Sequence, residues 1–163
     1  MVSRRDLHVA VAAVGGTFDL LHKGHRQLID TAFIVGDKVI VGLSDENFVK
    51  KLHKPHRVEN YAARELELKE FLEGRGCLSR AEIIPLRDRY GPTINDGEIE
   101  ALVVSKRSEP FSTQINEIRK SKGLKPLEIV SIDMVLAQDR VPISTTRIRR
   151  GKIDREGRVL RSS

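Results

Sequence analysis

At 163 residues, 39% hydrophobic and 32% charged, the chain has the length and balance of one globular domain rather than a disordered or fibrous segment. No apolar run approaches the roughly 20 residues needed to cross a bilayer, and the first apolar stretch is strand-sized, too short for a signal peptide. The net charge of +6 favours an anionic partner, and the single cysteine excludes an internal disulfide.

Short apolar runs alternate with segments of helical period, the pattern of a parallel sheet covered by helices. The first strand is expected over Leu7 to Val14, with Gly15 and Gly16 directly behind it, and a helix over about Gly24 to Val35. Val39 to Leu43 reads as the second strand. Ser44 to Val58, polar, basic and containing Pro55, reads as a long loop. Glu59 to Glu73 is the clearest amphipathic helix, with Ala62, Leu66, Phe71 and Leu72 as its apolar face, stopped by Gly74 and Gly76. Strands follow at Ala81 to Leu86, Ala101 to Val104 and Leu127 to Ile132. A turn-rich stretch (Asp88 to Gly97) and a helix (Phe111 to Ser121) lie between them, and Ser144 to Arg150 is a short helix. The expected fold is α/β: a single Rossmann-like domain over 1–163, a five-stranded parallel sheet with helices on both faces. Its ligands should lie at the carboxyl ends of the strands, where strand order reverses.

Two segments carry chemistry. The first is Gly15-Gly16-Thr17-Phe18-Asp19-Leu20-Leu21-His22-Lys23-Gly24-His25, between a strand and a helix. Glycines there let the backbone turn and approach a ligand, and free N–H groups at a helix start favour phosphate. His22 and His25 can direct two N–H donors at one phosphate chain. Neither needs to act as a base, because phosphoryl and nucleotidyl transfer depend chiefly on positioning and charge neutralisation. His53 and His56 fall in a distant loop, so the motif pair is not read as a zinc site, and no metal site is expected. The second segment is Val141-Pro142-Ile143-Ser144-Thr145-Thr146-Arg147-Ile148-Arg149. Ser144 is a good N-cap, three hydroxyls crowd the first turn, and Arg149 offers a fixed charge to a departing pyrophosphate.

Arg147, Arg149, Arg150, Lys152, Arg155, Arg158 and Arg161 concentrate basic charge near the C-terminus. Aromatic residues make up only 4% of the chain and the basic tail has none, which argues against a nucleic-acid-binding module.

The first segment resembles the GxFDxxHxGH signature of the HxGH nucleotidyltransferases, and the second resembles their ISSTxIR signature, with Thr145 in place of the second serine. The related aminoacyl-tRNA synthetases carry a KMSKS loop on far longer chains, which sets them apart. Within the superfamily the chain resembles the archaeal-type phosphopantetheine adenylyltransferases. That likeness covers nearly the whole chain: the GGTFDLLHKGH opening, Tyr61 and Arg64, Tyr90 to Ile94, Leu102 to Ser105, Gly123 to Leu127, and Ile143 to Gly151.

The resemblance implies adenylyl transfer from ATP, carried with Mg²⁺, to 4′-phosphopantetheine, giving dephospho-coenzyme A and pyrophosphate. It implies small-molecule substrates and favours a monomer, while the composition itself is read as that of a cytoplasmic protein with no nucleic-acid or membrane partner. Carried over by residue, Gly15, Gly16, Thr17, Phe18, His22, Gly24, His25, Ser144, Thr145, Thr146 and Arg149 would bind the nucleotide. Thr17 would touch the acceptor phosphate or the α-phosphate, His25 the pentacoordinate phosphorus and His22 the phosphate chain. Ser144, Thr145, Thr146 and Arg149 would hold the β- and γ-phosphates. Lys50 or Lys51 would supply an acceptor-side cation, and Arg107 is a further candidate.

Two stretches depart from the family pattern: Lys106-Arg107-Ser108 replaces an acidic-threonine stretch, and Asp88-Arg89 replaces Asp-Pro. Glycerol-3-phosphate cytidylyltransferases and flavin or nicotinamide mononucleotide adenylyltransferases share both motifs, so the residues alone reach only as far as a phosphorylated acceptor.

Overall fold

A computed structural model describes residues 7–161, so the outermost ends of the expected 1–163 domain lie outside the described residues. The elements run β1 (Val9–Gly16), α1 (Lys23–Val35), β2 (Gly36–Ser44), α2 (Glu46–Lys51), α3 (Tyr61–Gly74), β3 (Ala81–Leu86), β4 (Ala101–Ser105), α4 (Glu109–Ser121), β5 (Glu128–Ile132) and α5 (Thr145–Arg149). The five strands form one all-parallel sheet in the order β3-β2-β1-β4-β5. Order reverses between β1 and β4, which sets the crevice where ligands of such sheets bind.

Both faces of the sheet are buried, so the strands read as near-continuous apolar runs. The alternation survives inside them. Ala12, Val14, Val39, Val41, Leu43, Ala101 and Val103 join one core with Ile29, Ala32 and Phe33 of α1 and Leu68 and Leu72 of α3. Their neighbours Ala13, Ile40, Leu102 and Val104 point the other way, onto Ile115 of α4.

Three expectations are corrected. Ser44 to Val58 is not wholly a loop: α2 forms within it because Asp45 caps it, accepting the Phe48 N–H at 2.7 Å, and Lys50 and Lys51 lie in its last turn. The apolar face of α3 is only half the one read from the sequence: Leu72 is buried and Phe71 packs against the core, but Ala62 and Leu66 do neither. Leu66 is 59% exposed and Ala62 is exposed, while Arg64, Leu68 and Leu72 are the buried residues. A stripe that begins with an arginine is invisible to a count of apolar residues. Finally, Gly15 and Gly16 do not make the sharp turn. They stay in β1, and the left-handed positions are Phe18 (φ 49°) and Leu20 (φ 52°). Non-glycine residues held there cost about 1 to 3 kcal/mol each, so surrounding contacts must hold the turn in place.

Candidate active site

The turn after β1 delivers His22 to the start of α1, where it acts as N-cap. Its Nδ1 accepts from Gly24 N–H at 3.0 Å and His25 N–H at 3.3 Å, and His25 Nδ1 accepts from His22 N–H at 3.2 Å. The two side chains form a reciprocal capping box, with their rings stacked 3.6 Å apart between centroids. This bonding fixes the chemistry. A neutral ring whose Nδ1 accepts must carry its proton on Nε2, so both histidines present Nε2–H as a donor. Burial, reinforced by the Arg26 and Arg155 charges, lowers the pKa of His22 to about 4. Burial, then the neighbouring His22 and Lys54, pushes His25 well below its ordinary value. Both are therefore neutral donors near pH 7, poorly suited to service as bases. Gly24 is required by this packing, since a Cβ there would sit 2.9 Å from His22 Cε1. Phe18, 2% exposed, lies edge-on to the His25 ring at 5.4 Å and supports it from below.

Facing the histidines is the start of α5. Ser144 caps that helix by accepting the Arg147 N–H at 3.2 Å, and Thr145 donates its hydroxyl to the Asp19 carbonyl at 3.0 Å. Ser144, Thr145, Thr146, His22, Gly24 and His25 thus share one cavity of about 240 Å³, whose wall also carries Lys54, His56, Arg107 and Asp133. A larger cavity of about 610 Å³ meets it at Leu28, Ser105 and Arg107. Gly15, Gly16, Thr17 and Ser44 line its strand ends, and Phe48, Leu52, Tyr90 and Phe111 give it an apolar and aromatic lining. Arg89 stacks on the Phe111 ring with its guanidinium carbon 3.7 Å from the centroid.

Most of the candidate residues thus converge at the switch point. Phe18 lies beneath the site and lines neither cavity. Lys50 and Lys51 are exposed on α2 and line neither cavity, whereas Lys54, three residues further on, reaches the smaller one. Arg107 borders both. Arg149 also lines neither cavity: it is forked onto Asp19 through two 3.0 Å bonds and reaches Glu59 at 3.5 Å.

Sequence reasoning passed over Asp19, a 2% exposed carboxylate that also accepts the Glu59 N–H at 3.1 Å and so ties both motifs together. It set His56 apart as distant, yet its ring lies 4.0 Å from Asp19. The available signals were an acidic residue inside an apolar turn and the Lys54-Pro55-His56 cluster beyond α2.

A cytidylyltransferase-like family model matches residues 13–151. The phosphopantetheine adenylyltransferase of Methanothermobacter thermautotrophicus is 43% identical over 152 residues, spanning 93% of this chain and 90% of that protein. The phosphopantetheine adenylyltransferase of Methanopyrus kandleri is 44% identical, over 86% and 88%. A solved structure from Archaeoglobus fulgidus, described as a protein with unknown function, superposes with a TM-score of 0.68 at 28% identity, over 82% of this chain and 98% of that one. Two motif-bearing cavities at a strand switch point, and relatives this similar along nearly their full length, lead to one conclusion: the chain belongs to the cytidylyltransferase-like family, in its phosphopantetheine adenylyltransferase branch.

Proposed function

We propose that the protein transfers the adenylyl group of ATP to 4′-phosphopantetheine, forming dephospho-coenzyme A and pyrophosphate. The observation that carries the acceptor is the 610 Å³ cavity, lined by Phe48, Leu52, Tyr90 and Phe111 together with Arg89 and Arg107, with Thr17 among its strand-end residues. A phosphate with a long, weakly polar arm fits such a cavity. Glycerol 3-phosphate has no apolar part to fill it.

In this reading the triphosphate occupies the smaller cavity. A phosphate oxygen of the acceptor, held near Thr17, attacks the α-phosphorus, a new P–O bond forms and the bond to the β-phosphate oxygen breaks. The Nε2–H of His25 supports the charge on the α-phosphate oxygens, and that of His22 the phosphate chain. The backbone N–H groups and hydroxyls of Ser144, Thr145 and Thr146 hold the departing pyrophosphate. Lys54 and Arg107 add positive charge on the cavity wall. Arg149 reaches the β- and γ-phosphates by exchanging its carboxylate partners for phosphate oxygens. Mg²⁺ would travel with ATP as part of the substrate, and Asp133 is the carboxylate on the wall of the smaller cavity.

Pyrophosphate release, measured with ATP or CTP against 4′-phosphopantetheine, glycerol 3-phosphate and the flavin and nicotinamide mononucleotides, tests this. Turnover is expected with ATP and 4′-phosphopantetheine. Turnover with another pair in its place would overturn the acceptor and keep the chemistry.

A further inference from the structure

We infer that Arg64 of α3 is a positioning residue for the transfer step, setting the Thr17–Leu20 turn, and with it the meeting point of acceptor and α-phosphate. This rests on the proposed reading of that site.

Arg64 is 2% exposed and donates only to main-chain carbonyls. Nε reaches Glu59 O at 2.8 Å, and Nη1 reaches both Thr17 O at 3.0 Å and Ser44 O at 2.8 Å. It therefore ties the carboxyl ends of β1 and β2, the rim where Thr17 and Ser44 enter the larger cavity. The segment it grips contains Phe18 and Leu20 in the left-handed region, and such a turn persists only when its surroundings over-determine it. The other ties are Thr145 on the Asp19 carbonyl, and Arg149 and the Glu59 N–H on the Asp19 carboxylate. Glu59 is held from both sides, its N–H by Asp19 and its carbonyl by Arg64.

The arrangement is costly for a structural brace. A guanidinium has been buried without a carboxylate in contact, and burial lowers its pKa. Among the described residues, Arg64 Nη2 is the buried side-chain polar atom without a hydrogen-bond partner. A hydrophobic residue would brace α3 against the sheet with no such cost. What only the guanidinium provides is one planar fork that fixes three backbone segments at once, with its charge held at the strand ends where phosphates meet.

The fold contains its own comparison. Arg119 of α4 is 1% exposed and also bonds only carbonyls, those of Lys125, Thr93, Asp96 and Ile99, at 2.7 to 3.3 Å. Lys125, Asp96 and Ile99 precede β5 or β4, at the end of the sheet away from the chemistry, and Thr93 lines the larger cavity away from the Thr17–Leu20 turn, so a change there would be read in the acceptor KM rather than in kcat at saturation.

The test pairs Arg64→Lys with Arg119→Lys. Each is measured for melting temperature, for kcat per folded molecule with both substrates saturating, and for hydrogen exchange of the amides of residues 17–20. Both variants should melt lower. Arg64→Lys should lower kcat by at least about tenfold, because small misplacements at a reacting centre are expensive, and should speed exchange at 17–20. Arg119→Lys should leave kcat within about twofold of the parent and that exchange unchanged. Equal kcat in the two variants, or unchanged exchange at 17–20 in Arg64→Lys, would overturn the inference. The exchange measurement needs no acceptor. If the parent enzyme proves inactive with 4′-phosphopantetheine, the acceptor reading fails, exchange still decides whether Arg64 sets the Thr17–Leu20 turn, and kcat is compared with the acceptor that does turn over.

Discussion

His22 has two tasks that one pair of substitutions separates. Its Nδ1 caps α1 and its Nε2–H is free for the phosphate chain. Alanine removes both. Asparagine places its Oδ1 close to the position of Nδ1, so it retains the acceptor for the Gly24 and His25 N–H groups, now 3.0 and 3.3 Å from His22, but cannot reach as far as Nε2. Loss of a side-chain cap costs about 1 kcal/mol, so His22→Asn should be about that much more stable than His22→Ala. In a domain of this size that is about 2 to 4 °C in melting temperature. Turnover should respond differently. Removal of one pre-aimed donor to developing charge costs roughly a hundredfold to a thousandfold in kcat, and both variants lose the same donor. Calorimetry and pyrophosphate-release kinetics on the two proteins should show stability partly recovered in His22→Asn and turnover equally low in both. Recovery of kcat along with melting temperature would refute the reasoning and reduce His22 to a cap.

Acid should destabilise the fold through the same residue. In the unfolded chain His22 gains a proton as pH falls through 6.5, while in the fold it resists until about 4, so its contribution is fully present above 6.5 and lost between those values. The loss approaches about 3 kcal/mol at the lower end, with His25 acting in the same direction. Denaturant unfolding across that range checks it, and a flat profile in the parent that matches His22→Asn would contradict it. Lys54→Ala should raise the KM for ATP severalfold, an effect that shrinks as salt is added, whereas Lys50→Ala and Lys51→Ala should leave it unchanged. Equal effects of all three in steady-state kinetics would remove Lys54 from the site. Gly91→Ala introduces a Cβ 2.5 Å from Leu86 Cδ2 at a φ of +53°, so it should destabilise the fold by about 1 to 3 kcal/mol and raise the KM for the acceptor, measured by thermal melting and kinetics.

The sheet was legible because its signals are local. Each strand is a short apolar run, and the β1 motif and the cap at Ser144 announce their own helix starts. The histidine pair was legible for the same reason: residues three apart at a helix N-terminus meet whatever the rest of the chain does. What escaped depends on contacts across the fold. Arg64 lies 47 positions from the Thr17 carbonyl and Arg149 lies 130 from Asp19, and no periodicity connects such partners. That Lys50 and Lys51 stand exposed on α2 while Lys54 lines the smaller cavity was hidden, because a six-residue helix inside a polar, proline-containing stretch has too little periodicity to be seen. The glycine pair suggested a turn because glycine permits one. In the fold, its small size serves the cavity wall instead.

Mass analysis of the product tests the central claim most directly. Purified protein with ATP, Mg²⁺ and 4′-phosphopantetheine should yield dephospho-coenzyme A and pyrophosphate in equal amounts, with turnover lost in a His25→Ala variant that still folds and melts only a few degrees lower, for want of the capping bond to the His22 N–H. Unaltered 4′-phosphopantetheine and no pyrophosphate from the folded protein would contradict it.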